Sequence, residues 1–248
     1  MTVSSPPSLP LPPGCQPLDC EWPWRQALAS AHFAAMRFDT ALLAETDPSV
    51  YRIDLSERLL SSADKRRAEY VAGRLCARQA LHDLTHEAVA LGQTAAGPPA
   101  WPAGTVGSIT HSRGLAAAAV ASQTSVAGLG IDAEARIPAA RAHRLAPQIL
   151  VESEREWLAT LDSGAASEFV TTAFSLKESL FKALFPLVQR RFYFHDACLV
   201  AWDPDHGSAA IELLTTLSSH WPAGRRLAGH IAALDDHLVT LIAAPRPA

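Results

Sequence analysis

VGSITHSRGLAAAAVAS, residues 106–122, decides between two folds. Four consecutive alanines favour helix by intrinsic propensity. The run is only eight residues long, however, and it follows Ser-Arg-Gly, a turn signal. VGSITH (106–111) in front of that turn has the β-branched content of a strand. The stretch therefore reads as a strand, a turn and a returning strand, and the alanines belong to a sheet.

Working outward, GQTAAGPPAWPAGT (92–105) is a turn-rich connection, and before it SSADKRRAEYVAGRLCARQALHDL (61–84) is a long helix by periodicity. Val71, Leu75 and Leu81 supply its apolar side. After the hairpin, VAGLGID (126–132) is a short strand leading into AEARIP. A helix is expected around 153–162, with Ser153 and Glu156 as a capping box, and another opens at Ser175 and ends near Pro186. RFYFHDACLVAWD, AAIELLTT and HIAALDDHLVTLIAA then read as strands. A helix followed by strands thus occurs twice. The expected fold class is α/β of the α+β type, a pseudo-two-fold pair of lobes, each a small sheet packed with a long helix. The N-terminal lobe is expected over 1–125, with a Pro-rich leader in 1–24, and the C-terminal lobe over 126–248.

The chain has 248 residues, 48% of them hydrophobic, enough for a substantial core. Its net charge of −4 argues against a generally basic nucleic-acid binder. The N-terminus lacks the pattern of a signal peptide, and the longest apolar runs are too short to span a bilayer. Cys15, Cys20, Cys76 and Cys198 show neither CxxC spacing nor disulfide-scaffold density. A soluble cytoplasmic protein with no nucleic-acid or membrane partner is expected.

Three groups of polar residues could do chemistry. Asp132 and Glu134 stand at i and i+2, so in extended backbone they share a face, and two carboxylates on one face call for a cation or a proton. An all-oxygen set suits Mg²⁺, and Glu178 could close it from the helix. The structural alternative is a turn-capping Asp132 and a solvated Glu134. Arg67, Arg74 and Arg78 stack along one face of the long helix, with Arg66 at its edge. Such a face suits phosphate oxygens, or is a solvated one neutralised by Asp64, Glu69 and Asp83. AFSLKESLFKALFP (173–186) sets Glu178 four residues before Lys182, either a surface ion pair or one wall of a site. Acids for a metal and cations for phosphates together suit phosphoryl transfer. The P-loop, the GxGxxG fingerprint and the G-x-S-x-G elbow are all absent.

KRRAEYVAGRLCARQAL (65–81), WPAGTVGSITHS (101–112), GLGIDAE (128–134) and FSLKESLFKALFPLVQRRFYFHDA (174–197) together resemble the 4'-phosphopantetheinyl transferase superfamily in its two-lobed, Sfp-type form. Within it the chain is similar to the enterobactin synthetase component D branch and to pseudomonad carrier-protein transferases. GID-x-E combined with F-S-x-K-E-S-x-x-K is highly specific. The resemblance implies transfer of the 4'-phosphopantetheine arm of coenzyme A to a serine of an apo carrier protein, acyl, peptidyl or aryl, releasing 3',5'-ADP. Siderophore, nonribosomal peptide and fatty-acid synthesis use such carriers.

The resemblance also implies Mg²⁺ held by Asp132, Glu134 and Glu178, with Glu178 and Lys182 catalytic. Coenzyme A is expected on Arg66, Arg74, Arg78, Thr110, His111, Asp132, Lys177 and Lys182. It favours Arg66 where helical spacing favours Arg67, and a monomer is its default state. Several relatives carry a lysine before the W-P, whereas this chain has TAAGPPAWP there, with no basic residue near Ala96. Arg190 and Arg191 are candidates for receiving an acidic carrier. From the residues alone, a metal-dependent phosphohydrolase of coenzyme A or nucleotides, or a non-catalytic coenzyme A-binding protein, remains open.

Overall fold

The computed structural model describes residues 10–87, 89, 91–93 and 98–246. The strands are β1 (Cys15–Pro17), β2 (Ala31–Phe38), β3 (Gly92–Gln93), β4 (Pro99–Ala100), β5 (Thr105–Ser112), β6 (Leu115–Ser122), β7 (Gly128–Ala135), β8 (Ala197–Asp203), β9 (Ser208–Leu213), β10 (Arg226–Leu234) and β11 (His237–Ala244). The helices are α1 (Thr40–Ala44), α2 (Glu57–Leu60), α3 (Asp64–Thr85), α4 (Ala139–Ile149), α5 (Glu152–Leu158) and α6 (Ser163–Val188). One antiparallel sheet has the order β1-β2-β6-β5 and the other β7-β11-β10-β9-β8, while β3 and β4 form a small ribbon.

The alanine run is strand β6, central in its sheet, and the turn before it is a two-residue hairpin in which Arg113 and Gly114 both have positive φ, 45° and 79°. Its two faces are both covered. Ala116 and Ala118 pack with Ala68, Val71 and Leu75 of α3, whereas Leu115, Ala117, Ala119 and Ala121 pack with Leu129, Ile131, Val239 and Leu241 of the other sheet. Small side chains on both faces let three layers stack closely, and that tertiary gain overrides helix propensity. A fourth layer follows, because α6 lays Phe169, Leu176, Leu180 and Leu184 on Leu199, Ile211, Ile231 and Ile242. The order is therefore α3, sheet, sheet, α6, with one long helix on the outer face of each lobe.

The seam between lobes lies where β5 and β7, both sheet edges, run side by side. No ladder joins them; instead Ile131 N donates to Ser108 Oγ and Ala133 N to Thr110 Oγ1, each at 3.0 Å. Two hydroxyls thus satisfy amides that an edge strand would leave open.

Several expectations change. Helix α6 starts twelve residues before Ser175, where Asp162 Oδ1 accepts from Gly164 N and Ala165 N at 2.9 Å. Ser175 is fully buried mid-helix and shares a 2.8 Å hydrogen bond with Thr240 Oγ1, so it caps nothing. Pro186 lies in the last turn, and the helix ends at Val188 with Gln189 in the left-handed region. The acid that closes the start of α5 is Glu154, accepting from Val151 N at 2.8 Å, in place of Glu156. Of 191–203 only Ala197–Asp203 is strand. Strand β2 and helix α4 had no counterpart in the reading of periodicity.

Candidate active site

The site begins with a close approach. A Cβ on Gly130 would lie 1.9 Å from Ser179 O, and one on Gly128 2.3 Å from Ala183 O. With glycine at both positions, α6 rests directly on β7. Asp132, two residues further along the same face of β7, is thereby brought under Lys182, whose Nζ donates to Asp132 Oδ1 at 2.7 Å and to Ile131 O at 3.0 Å. Thr110 Oγ1 donates to the same carboxylate oxygen at 3.1 Å from across the seam. Asp132 Oδ2 is buried and has no partner among the described groups.

Glu134 and Glu178 stand close enough to feel this centre. Burial, then the Asp132 charge, pushes the Glu134 carboxyl up to about 7 against the pull of Lys182 and Arg113. Burial likewise raises Glu178, with Lys182 opposing and Asp132 assisting. Among the described residues, no three His, Cys, Asp or Glu side chains converge into a ready-made metal cage. The donors nonetheless fit a hard divalent cation: one orphaned buried carboxylate oxygen beside two carboxyls whose burial disfavours their charged form.

The cationic wall comes from α3. Arg66 Nη1 is 3.4 Å from His111 Nε2, and His111 Nδ1 lies 3.7 Å from Glu69 on the same helix. Burial lowers the His111 pKa, opposed by Glu69. Arg67 bonds Ser62 O and Asp64 at its own helix start, so Arg66 is the member that meets the cleft. Arg74 is 4% exposed, stacks on Tyr70 and donates to Gly92 O at 2.9 Å. The missing-lysine segment around Ala96 lies outside the described residues.

Two residues expected on coenzyme A have protein partners in this structure. Arg78 donates to Tyr51 O at 2.8 Å and to Pro10 O at 2.9 Å, anchoring the leader. Lys177 is buried against Glu154 at 2.6 Å. Adjacent helical residues differ by 100° in direction, so with Glu178 toward the cleft, Lys177 turns into the lobe. Glu69 was read only as a neutraliser of the arginine face, and Glu154 went unnoticed in the sequence, its only local signal being an acid within a helical pattern.

A cavity of about 640 Å³ opens between the lobes, lined by Arg66 and Lys182 at its polar end and by Trp101, Ile109, Phe181 and Phe185 elsewhere. A second, of about 220 Å³, opens beside Glu178 under Arg191, Tyr193 and Phe194.

Acids on one lobe thus face cations on the other across a cleft with a large apolar floor, the layout of an enzyme that handles a phosphorylated cofactor. Residues 55–121 match the 4'-phosphopantetheinyl transferase N-terminal domain and residues 128–242 the 4'-phosphopantetheinyl transferase superfamily; the chain belongs to that superfamily. It is 37% identical over 177 residues to 4'-phosphopantetheinyl transferase Npt of Nocardia iowensis, covering 69% of this chain and 75% of the relative. Against 4'-phosphopantetheinyl transferase Svp of Streptomyces mobaraensis it is 40% identical over 188 residues, 74% of each chain. Against enterobactin synthase component D of Shigella flexneri it is 35% identical over 174 residues, 69% of this chain and 78% of that one. The protein transfers phosphopantetheine from coenzyme A to a carrier protein, and the hydrolase and non-catalytic readings fall away.

Proposed function

We propose that Asp132, Glu134 and Glu178 hold a magnesium ion, that Glu178 accepts the proton of the carrier serine, and that Lys182 serves the leaving group. The observation behind this is Asp132 itself, whose Oδ1 is tied by Lys182 and Thr110 while its buried Oδ2 has no partner among the described residues. When bound, the ion offsets negative charge at the coenzyme A pyrophosphate. The serine Oγ forms a bond to the β-phosphorus, and the bond from that phosphorus to the oxygen of 3',5'-ADP breaks, its electron pair departing with the nucleotide. The serine proton passes to Glu178, the carboxylate that α6 carries four residues before Lys182. Lys182 neutralises or protonates the ADP oxygen. Arg66 and His111 hold nucleotide phosphates from α3 and β5, joined by Arg74 where its guanidinium is free of Gly92. The apolar floor at Trp101 and Phe185 receives parts of coenzyme A that carry no charge.

The carrier is an acyl, peptidyl or aryl carrier protein or domain, of siderophore, nonribosomal peptide or fatty-acid synthesis. Arg190 and Arg191, both exposed beyond α6, suit an acidic partner. Four free cysteines fit a reducing cytoplasm, and among the described residues no helix is long and apolar enough to cross a membrane. Monomer is the state the resemblance implies, and a division into lobes at 125/126 accords with the end of β6 at Ser122 and the start of β7 at Gly128.

Transfer from coenzyme A to purified apo-carriers of the three kinds, with Mg²⁺ present and chelated, tests this reading. Glu178→Gln and chelation should each abolish most of the turnover. Undiminished transfer in either case would remove the metal-and-base account.

A further inference from the structure

The buried pair Lys177–Glu154 takes no part in the chemistry described above. Its side chains are 2% and 0% exposed, and the ammonium and both carboxylate oxygens have hydrogen-bond partners. Glu154 Oε2 accepts from Lys177 Nζ at 2.6 Å and from Val151 N at 2.8 Å, while Oε1 accepts from Leu199 N at 2.7 Å. Lys177 Nζ also donates to Ile149 O at 2.8 Å. One carboxylate and one ammonium thus join the end of α4, the start of α5, strand β8 and helix α6.

Stability is a poor reason for such a pair, since well-packed apolar residues often do as well. Its position suggests another. Helix α6 lies on β7 through glycines, a smooth contact with no side chain interlocked at Gly128 or Gly130. Rotation of α6 about its axis is set by the apolar packing of Leu176, Leu180 and Leu184 against the sheet and, on its flanks, by polar attachments. On one flank Ser175 and Ser179 both reach Thr240 Oγ1 at 2.8 Å; on the other stands Lys177. Glu178 follows Lys177 by 100°, and Lys182 shares the face of Glu178. At roughly 6 Å from a helix axis, a 10° rotation moves a side-chain terminus by about 1 Å, enough to cost ~10²-fold in rate.

We propose that Lys177 and Glu154 are positioning residues for the transfer, fixing the rotation of α6 so that Glu178 and Lys182 meet Asp132. The proposal rests on the reading of Glu178 as the proton acceptor. It assigns to the lysine of the K-E pair a role inside the lobe, away from coenzyme A.

Removing Lys177 alone would strand a buried carboxylate, so the test uses the double variant Lys177→Met/Glu154→Gln. Methionine replaces the lysine stem, and the glutamine carbonyl still serves Leu199 N. With circular dichroism and urea midpoint close to wild type, kcat for transfer should fall about 10- to 100-fold while KM for coenzyme A stays within about twofold. An unchanged kcat would overturn the proposal. A KM raised about tenfold at constant kcat would also overturn it, by showing that Lys177 binds the co-substrate. Should the double variant fail to fold, Lys177→Arg, which keeps a charge opposite Glu154 but changes the geometry of the attachment, is read by the same criteria, with a several-fold fall in kcat expected and an unchanged kcat overturning the idea. Glu178→Gln is assayed in parallel in the wild-type background. If it retains full kcat, the proton-acceptor reading fails by itself, whatever the pair does.

Discussion

Lys182 Nζ stands 2.7 Å from Asp132 Oδ1, tying helix α6 to strand β7 at the point where the lobes meet. The lysine is 27% exposed and the aspartate 8%, so the pair faces the cleft from partial cover. Lys182→Met removes the charge from Asp132 and leaves only Thr110 on that carboxylate. The expected loss of stability is about 1–2 kcal/mol, discounted for the exposure of the lysine. Transfer should fall about 10²-fold or more, as when a preorganised donor to a transition state is lost. Urea denaturation and a carrier-loading assay measure the two, and wild-type turnover in this variant would separate Lys182 from the chemistry.

Gly130→Ala should be among the most damaging small substitutions in the chain. Its Cβ would be placed 1.9 Å from Ser179 O and 2.7 Å from Ala183 N, both helix backbone atoms that cannot swing aside. Lifting α6 off β7 is expected to cost about 3 kcal/mol or more. Gly104→Ala is the control: its φ is +80° but nothing lies within 4 Å, so it meets only backbone strain of about 1 kcal/mol. A thermal or urea midpoint lowered equally by both would show that close approach at Gly130 is not what matters.

The layers and the acids were readable because they depend on local pattern. The Arg113–Gly114 turn and the two-residue period of β5 announce a hairpin, and Asp132 and Glu134 announce their shared face by spacing alone. What stayed hidden depends on partners distant in the chain. Nothing next to Ser175 indicates Thr240, and nothing next to Lys177 indicates Glu154, 23 residues earlier. The start of α6 was misplaced because Ser175 and Glu178 imitate a capping box, whereas Asp162, thirteen residues upstream of that serine, holds the first amides. Arg66 and Arg67 are equivalent by periodicity to within one residue; only the strand opposite, bearing His111, distinguishes them.

Thr110 is expected to act through position. Its hydroxyl accepts from Ala133 N and donates to Asp132 Oδ1, so it joins the lobes and orients an acid with one atom. Thr110→Val keeps the shape but strands a buried amide, at a cost of about 1–3 kcal/mol, and lowers transfer as well. Thr110→Ser retains the hydroxyl and should stay within about 1 kcal/mol of wild type. Denaturation midpoints that rank valine and serine alike would refute the hydrogen-bonded role.

Arg37 of β2 reaches across to the β10–β11 turn, where its Nε lies 2.9 Å from Asp235 and its Nη2 contacts Asp236, an attachment between the lobes far from the cleft. The hydrogen bond from Arg37 holds the Asp236 carboxyl down at about 2, and His237 Nδ1 lies 2.9 Å from the same carboxylate. An unfolded aspartate titrates near ~3.9. The folded state therefore binds fewer protons between those values, so the contribution of Asp236 is fully present above about pH 5 and is lost as pH falls toward 2. Stability measured by urea at a series of pH values should show a constant gap between wild type and Asp236→Asn from about pH 5 to 7. Below about pH 4 the gap should close. Because Asp236 is exposed and Arg37 only half-buried, added salt should shrink it throughout. A gap that widened on acidification would mean that Asp236 favours the fold in its neutral form, contrary to its place beside Arg37.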